Sequence, residues 1–324
     1  MLVTLNPNAE PSRVQARLQA LGLWTQRLDA RGRPVAFLVE SHSAYVPLER
    51  IASVEGVEEV CAPPSAHPRV DELCHRPVAI GKLLLGEGAP PVLMAGPCSV
   101  ESPEQISHAA EAAARAGARL LRGGAFKPRT SPYSFAGHGR AALAWLRGAA
   151  DRHGLGVVTE VMSEREVEAV AEIADLMQVG SRNMQNFALL RAVGAANKPV
   201  LLKRGMAATI DEWLLAGEHL LAAGASGVVF CERGVHGFDP FTRNLLDLGA
   251  VALLGCTLGL PVIADPSHGA GRRDLIAPLA RAAMAAGAHG LLVEFHPDPG
   301  AAKSDGPQAL DPRELEALAE ECMS

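Results

Sequence analysis

Between residues 90 and 295 the chain alternates short apolar runs with amphipathic stretches in one unbroken series. The apolar runs are 91–96, 118–123, 155–161, 175–180, 199–205, 226–234, 260–266 and 289–295. They are short and apolar throughout, as strands covered on both faces are. Between them, residues 103–116, 163–173, 209–222 and 272–286 repeat apolar positions at helical spacing. This alternation builds a parallel sheet. Eight comparable βα units in about 250 residues or fewer have the size of a (β/α)8, or TIM, barrel. An open doubly wound sheet also alternates strands and helices, but a single series of similar units favours closure.

The first sixty or so residues follow another pattern. Strand-like runs at 2–5, 23–28, 34–40 and 57–61 are separated by helical patterns at 10–21 and 46–54. The order βαββαβ is that of a small α+β ferredoxin-like domain. Residues 62–77, APPSAHPRVDELCHRP, are rich in proline and read as a connection. The expected organisation is a ferredoxin-like domain over 1–62, a linker over 63–89 and an α/β barrel over 90–324.

Every predicted barrel strand ends in polar or charged residues, Glu160, Gln178, Arg204, Glu232 and His296 among them, and all are expected at one mouth. The densest case is LLRGGAFKPRTSP (120–132), which places Arg122, Lys127 and Arg129 together after an apolar run. Cations at the end of a buried strand are costly to hold without anionic partners. Guanidinium groups match phosphate and carboxylate bidentately. Arg182, Lys203 and Arg233 follow later strands, so the cationic set could hold two phosphates and a carboxylate. GSRN (180–183) could add backbone N–H donors to a phosphate. A structural salt-bridge network is the other reading of such charges. In barrels the C-terminal ends of the strands carry the active site, and strand ends that are consistently polar favour a ligand. The formal net charge of −6 and the scatter of the cations exclude the basic stripe of a nucleic-acid binder.

Cys98, His268, Glu294 and Asp305 form a second set at or after strand ends. One thiolate, one imidazole and two carboxylates suit a divalent transition metal with an open position. Singly, a cysteine or histidine at such a place is more often a packed or hydrogen-bonded residue. Glu294 closes an apolar strand and would be buried as a charge. No apolar run reaches membrane-spanning length, and the start MLVTLNPNAE lacks the features of a secretory signal. The six cysteines are widely spaced without a CxxC pair, which fits reduced thiols in the cytoplasm.

The segments MAGPCSVES, LLRGGAFKPRTSP, QVGSRNMQN, LLKRGMAAT, VVFCERG, IADPSHGAGRRD, EFHPDP and KSDGPQAL together resemble class I-beta 3-deoxy-D-arabino-heptulosonate 7-phosphate (DAHP) synthases. The resemblance runs over essentially all of 90–310. One branch of that class carries a ferredoxin-like regulatory domain, and residues 1–62 look like it. The resemblance implies metal-dependent condensation of phosphoenolpyruvate with erythrose 4-phosphate, the first step of the shikimate pathway of aromatic amino acid biosynthesis. It implies that Arg182 and Arg233 hold the phosphoenolpyruvate phosphate. Arg122, Lys127 and Lys203 would face its carboxylate and the reacting centre, with Lys127 as proton donor. Arg129, Thr130 and Ser131 would hold the erythrose phosphate. Cys98, His268, Glu294 and Asp305 would bind the metal (manganese, iron, zinc or cobalt), with Cys98 and His268 beside the reaction. It further implies a homo-oligomer, of tetrameric size in many relatives, and a tyrosine or phenylalanine effector at the N-terminal domain. No nucleic acid or membrane partner is expected.

Two features depart from the family pattern. After CERG the chain reads VHGFDPFTRN, with His236 and Gly237 where the family has an arginine–threonine pair. The connection at 62–77 also lacks the family's basic, aromatic character. Two other functions are compatible with much of the pattern. The 3-deoxy-D-manno-octulosonate 8-phosphate synthases share the chemistry but take a five-carbon sugar phosphate. They carry an ANRSS-like loop where this chain has KPRTS, usually without an N-terminal domain. A non-catalytic sensor of sugar phosphates would keep the pocket but is expected to lose a metal ligand or the lysine.

Overall fold

The computed structural model describes residues 1–30, 32–126 and 135–323. Lys127, Arg129, Thr130 and Ser131 lie outside the described residues. The chain divides into two compact units, Met1–Ala66 and His67–Ser324.

The first unit has strands β1 (Leu2–Leu5), β2 (Thr25–Ala30), β3 (Arg33–Val39) and β4 (Val57–Cys61), with helices Pro11–Ala20 and Leu48–Ala52 between them. The sheet order is β2-β3-β1-β4, and every pairing is antiparallel. This is the ferredoxin-like arrangement expected from the element order. Val14 and Leu18 lie one helical turn apart. They pack with Val3, Leu5, Phe37 and Ile51 into a core of their own.

The second unit contains a two-stranded hairpin, β5 (Val78–Ile80) and β6 (Leu83–Leu85), followed by the barrel. The barrel strands are β7 (Val92–Gly96), β8 (Leu120–Arg122), β9 (Gly156–Val161), β10 (Leu176–Val179), β11 (Pro199–Lys203), β12 (Gly227–Glu232), β13 (Val262–Ala264) and β14 (Gly290–Glu294). All pair in parallel, and β14 pairs with β7 to close the ring. The expectation of eight strands in one closed series therefore holds.

Alternation along the strands separates two apolar layers. Leu93, Leu121, Val157, Met177, Leu202, Phe230 and Val293 face outward to the helices. Val92, Met94, Leu120, Val158, Leu176, Leu201, Val229, Cys231, Ile263 and Leu292 fill the lumen. Trp213, on helix Ile210–Ala222, packs edge-on against Phe230 at 5.2 Å between ring centroids. Its indole N–H donates to the Leu202 carbonyl at 3.1 Å, so the largest buried side chain is also satisfied.

The segment read from sequence as a linker is corrected here. Residues 63–89 hold the short helix Pro68–Asp71 and the β5–β6 hairpin. Val78, Ile80 and Leu85 join the lumen cluster. Val78 lies against Gly227, the first residue of β12, where an added Cβ would approach its methyl group to 2.7 Å. The hairpin thus caps the N-terminal end of the lumen, and the compact barrel unit begins at His67. Its strands are too short and its apolar residues too few for a two-sided strand signature, which is why composition marked the region only as proline-rich. Among the described residues no helix is long and apolar enough to cross a membrane, and no disulfide joins the cysteines.

Barrel closure leaves no room for a side chain at Gly290. A Cβ there would lie 2.2 Å from the Val92 carbonyl oxygen, a backbone atom that cannot rotate away. Gly290→Ala is expected to cost about 3 kcal/mol, the upper part of the overpacking range. A lowered denaturant midpoint with an unchanged slope would show it; an unchanged midpoint would mean that the closing strands can slide apart.

Candidate active site

The lumen changes character two residues beyond its apolar layer. On the same inward face, Leu120 is followed by Arg122, Val158 by Glu160, Leu176 by Gln178 and Leu201 by Lys203. Likewise Cys231 is followed by Arg233, Ile263 by Asp265 and Leu292 by Glu294. Period-two alternation therefore delivers a ring of polar groups to the C-terminal mouth. Arg122, Lys203, Arg233, Asp265 and Glu294 are all at most 6% exposed.

Two buried carboxylates organise this ring. Asp265 accepts from Lys203 Nζ at 2.5 Å and lies 2.6 Å from His268 Nδ1 through the same Oδ2. Its Oδ1 accepts the backbone N–H of His268 at 2.9 Å, capping helix Pro266–Ala270. Burial works against the Asp265 charge, yet His268 and Lys203 outweigh it and hold the carboxyl well below its ordinary range. Glu294 lies 2.8 Å from Arg122 Nη1 and 3.2 Å from His268 Nε2, both through Oε1. Burial again opposes the charge, and His268 and Arg122 again hold it low. The Arg122 guanidinium is penalised by burial but stabilised more by Glu294 and Cys98, so its pKa is raised.

Cys98, Glu294 and Asp305 bring ligand atoms within 4.8 Å of one another. Cys98 Sγ donates to Asp305 Oδ2 at 3.0 Å. The Cys98 segment is held by parallel pairing of Ser99 with Gly124, and the Asp305 segment by Ser304, whose hydroxyl meets that of Ser99 at 2.5 Å. Lys303 N–H also donates to Glu101 Oε1 at 2.8 Å. His268, expected as a fourth ligand, lies outside that group of three: its Nε2 is 3.2 Å from Glu294 Oε1 but not within the same distance of all the other ligand atoms. With Asp265 Oδ2 at Nδ1, a neutral His268 would turn its Nε2 lone pair toward a ligand.

This set fits a divalent ion. Among the described residues, the buried Glu294 Oε1 has no aligned hydrogen bond despite its close cations. Buried acceptors are normally satisfied. A buried carboxylate grouped with a thiol and a second carboxylate, with an imidazole nitrogen 3.2 Å from one of its oxygens, is a donor set suited to a transition metal.

The anion side is less compensated. Arg233 is buried, and its Nη1 donates to the Gly234 carbonyl at a long 3.4 Å. Burial lowers its pKa more than Asp265 raises it, and Arg243 lowers it further. A buried guanidinium in that condition is ready for an anionic ligand. Arg182, by contrast, is exposed, on the turn Ser181–Asn183 that follows β10. The neighbouring Ser181 Oγ is buried and has no hydrogen-bond partner among the described residues.

Two strand-end charges expected at the mouth face away from it. Glu232 and Arg204 belong to the outward parity set by Phe230. Arg204 Nη1 donates to Glu232 at 3.0 Å and to Asp247 at 2.9 Å, and its Nε donates to the Ala208 carbonyl at 3.1 Å. Glu232 Oε1 accepts the Gly234 N–H at 2.6 Å. These groups brace the segments on either side of Arg233 from outside the lumen. Sequence reading also passed over Gln308, Glu101, Ser99 and Ser304. Gln308 was legible only as part of KSDGPQAL. The variant segment after Gly234 is a loop closed by the Val235–Leu245 pairing, with Phe238 fully exposed.

A closed parallel barrel that gathers buried cations beside a Cys–Glu–Asp cluster at the C-terminal ends of its strands has the architecture of a barrel enzyme's active site. The particular lineage follows from comparison: residues 67–323 match the model of the DAHP synthetase I family, and the chain belongs to that family. A phospho-2-dehydro-3-deoxyheptonate aldolase of Thermotoga maritima is 46% identical over 270 residues, covering 82% of this chain and 80% of that protein. A 2-dehydro-3-deoxyphosphooctonate aldolase of Acidithiobacillus ferrooxidans is 34% identical over 245 residues, covering 70% of this chain and 86% of that protein. The crystal structure of the Thermotoga maritima phospho-2-dehydro-3-deoxyheptonate aldolase (DAHP synthase) superposes with a TM-score of 0.77 at 40% identity, covering 99% of this chain and 95% of that one.

Asp265→Asn would leave Lys203 buried without its counter-ion, a loss of about 3–5 kcal/mol at neutral pH. The pH dependence has a defined sign. A carboxyl whose folded pKa is depressed stabilises the fold above its ordinary value of 3.8 and loses that contribution as pH falls toward the folded value. Unfolding midpoints measured below pH 5 should therefore fall less steeply in Asp265→Asn than in the unsubstituted protein. Equal acid sensitivity would remove Asp265 as the group responsible.

Proposed function

We propose that the chain condenses phosphoenolpyruvate with erythrose 4-phosphate and water, giving 3-deoxy-D-arabino-heptulosonate 7-phosphate and phosphate. The observation that carries this reading is the juxtaposition, on one barrel mouth, of the under-compensated Arg233 with the Cys98–Glu294–Asp305 cluster. Family membership supplies the reaction class.

In this reading Arg233 and Arg182 bind the phosphate of phosphoenolpyruvate, and Arg122 and Lys203 face its carboxylate. Arg129, Thr130 and Ser131 take the phosphate of the aldehyde substrate. Fixed cations hold together two polyanions that repel each other in water, so positioning and electrostatics supply most of the rate. The methylene carbon of phosphoenolpyruvate attacks the aldehyde carbon, and Lys127 gives a proton to the resulting alkoxide. Positive charge develops at carbon 2, beside the carboxylate held by Arg122 and Lys203. Water adds there, and phosphate leaves with cleavage of its bond to that carbon. Cys98, His268, Glu294 and Asp305 would hold a divalent ion, which when bound supplies Lewis acidity toward a carbonyl oxygen. Asp265 keeps His268 in the tautomer that presents Nε2. Manganese, iron, zinc and cobalt all suit this ligand set.

The remaining readings concern setting and control. The ferredoxin-like unit is proposed as a regulatory domain that senses tyrosine or phenylalanine, and the protein as a cytoplasmic homotetramer. Support for the first is that residues 1–66 form a compact unit with a core of its own.

Metal-stripped protein is expected to consume phosphoenolpyruvate only when a divalent ion and erythrose 4-phosphate are both supplied. Arabinose 5-phosphate should be a poor substitute. Preference for the five-carbon sugar would favour octulosonate chemistry, and no turnover with either would favour a sensor. Cys98→Ala should fold normally and lose turnover by about 100-fold or more, the upper end of ligand-shell effects; full activity would sink the metal assignment.

Removing residues 1–66 should preserve turnover within a fewfold and abolish inhibition by aromatic amino acids. Inhibition that survives in the truncated protein would move the sensor into the barrel.

A further inference from the structure

Gln308 is 5% exposed and ends the turn Gly306–Gln308, which starts at Asp305. Asp305 itself sits at φ +53°, in the left-handed region that a non-glycine residue adopts only when its surroundings require it. The Gln308 N–H donates to the Asp305 carbonyl at 3.1 Å, so the two side chains are carried by one rigid turn. The turn is returned to the barrel by pairing of Leu310 with Phe295, directly after Glu294.

The Gln308 side chain meets two groups with opposite needs. Its Nε2 donates to Glu294 Oε2 at 2.5 Å, and its Oε1 accepts from Arg243 Nη1 at 3.3 Å. A carboxylate can only accept and a guanidinium can only donate, so the amide has a single orientation that satisfies both. Arg243 arrives from the loop after β12 and lies 3.9 Å from Asp305. Glu294 therefore has one oxygen, Oε2, held by an amide and the other, Oε1, turned to His268 and Arg122.

We propose that Gln308 is a positioning residue for the metal centre. By donating to Oε2 it makes Oε1 the ligand oxygen of Glu294. Through its shared turn with Asp305 it also sets the separation of the two carboxylate ligands. Arg243 keeps the amide from turning over. The inference rests on the reading that Cys98, His268, Glu294 and Asp305 hold a divalent ion, and it adds a residue that touches neither ion nor substrate. Such hydrogen bonds to a ligating carboxylate commonly change metal affinity by about 10–100-fold.

The test is a cobalt titration of metal-stripped full-length protein, following the thiolate-to-cobalt absorption from Cys98 with a competing chelator to give the affinity. Gln308→Met keeps length and volume but has no donor. Its cobalt affinity should fall by about tenfold or more while the folded protein keeps its circular dichroism and its unfolding midpoint stays within a few degrees. Arg243→Met, at a half-exposed position, should lose affinity by about threefold, the size of one modest hydrogen bond. Wild-type cobalt affinity in Gln308→Met overturns the proposal, provided that Cys98→Ala has lost the absorption. If Gln308→Met does not fold, unchanged affinity in Arg243→Met overturns it instead. Retention of the absorption by Cys98→Ala would refute the metal reading itself, and the proposal with it.

Discussion

Asp265 and Glu294 are almost wholly removed from water, each at the top of a barrel strand and each carrying charge. Among the described residues, Lys203, His268 and Arg122 depend on that pair. Lys203 and His268 are held by Asp265, and Arg122 and His268 by Glu294. The desolvation of so many ions is offset only because each carboxylate serves two cationic or polar partners at once. Neutralising either carboxylate would strand a buried cation, and removing the cations would push both carboxyls back toward protonation. The arrangement is thus locked by mutual need, and the group it compensates least is Arg233 on the anion side.

The apolar part of the barrel supplies the conditions for this. Below the charged ring the lumen is closed by the interior side chains and, at its N-terminal end, by the β5–β6 hairpin. A dry floor keeps the local dielectric low, so the cations and carboxylates above it interact strongly with each other and with a bound polyanion. Outside the lumen, Arg204, Glu232 and Asp247 tie together the segments that carry Arg233 and the following loop. The same strand therefore feeds two networks of opposite direction, one lining the mouth and one bracing it, and a one-residue change of parity separates them.

Much of the fold was legible because it rests on local periodicity. The lumen-facing apolar residues and the polar residues two positions on are visible as pattern, and so are the outward apolar positions that meet the helices. The β5–β6 hairpin was not legible, because three-residue strands carry too little pattern to distinguish them from a connection. Glu232 and Arg204 were misassigned to the mouth because adjacency in sequence hides the alternation of faces. Gln308 was invisible as a functional residue, since a glutamine in a turn has no chemistry of its own until a carboxylate and a guanidinium are placed on either side of it.

The amino-acid sequence by itself determined the number and order of βα units, the ferredoxin-like element order, the cations and carboxylates at strand ends and the family. These follow from side-chain period and residue type, which are properties of neighbours along the chain. Only the tertiary structure decided which carboxylate holds which cation, and that one oxygen of Glu294 meets Gln308 while the other meets Arg122 and His268. It also decided that residues 303–308 return to meet Cys98 and Glu294. Those facts depend on closure of the ring, which brings the last strand against the first. Contacts across about 200 residues of chain are set by that closure and leave no local signature.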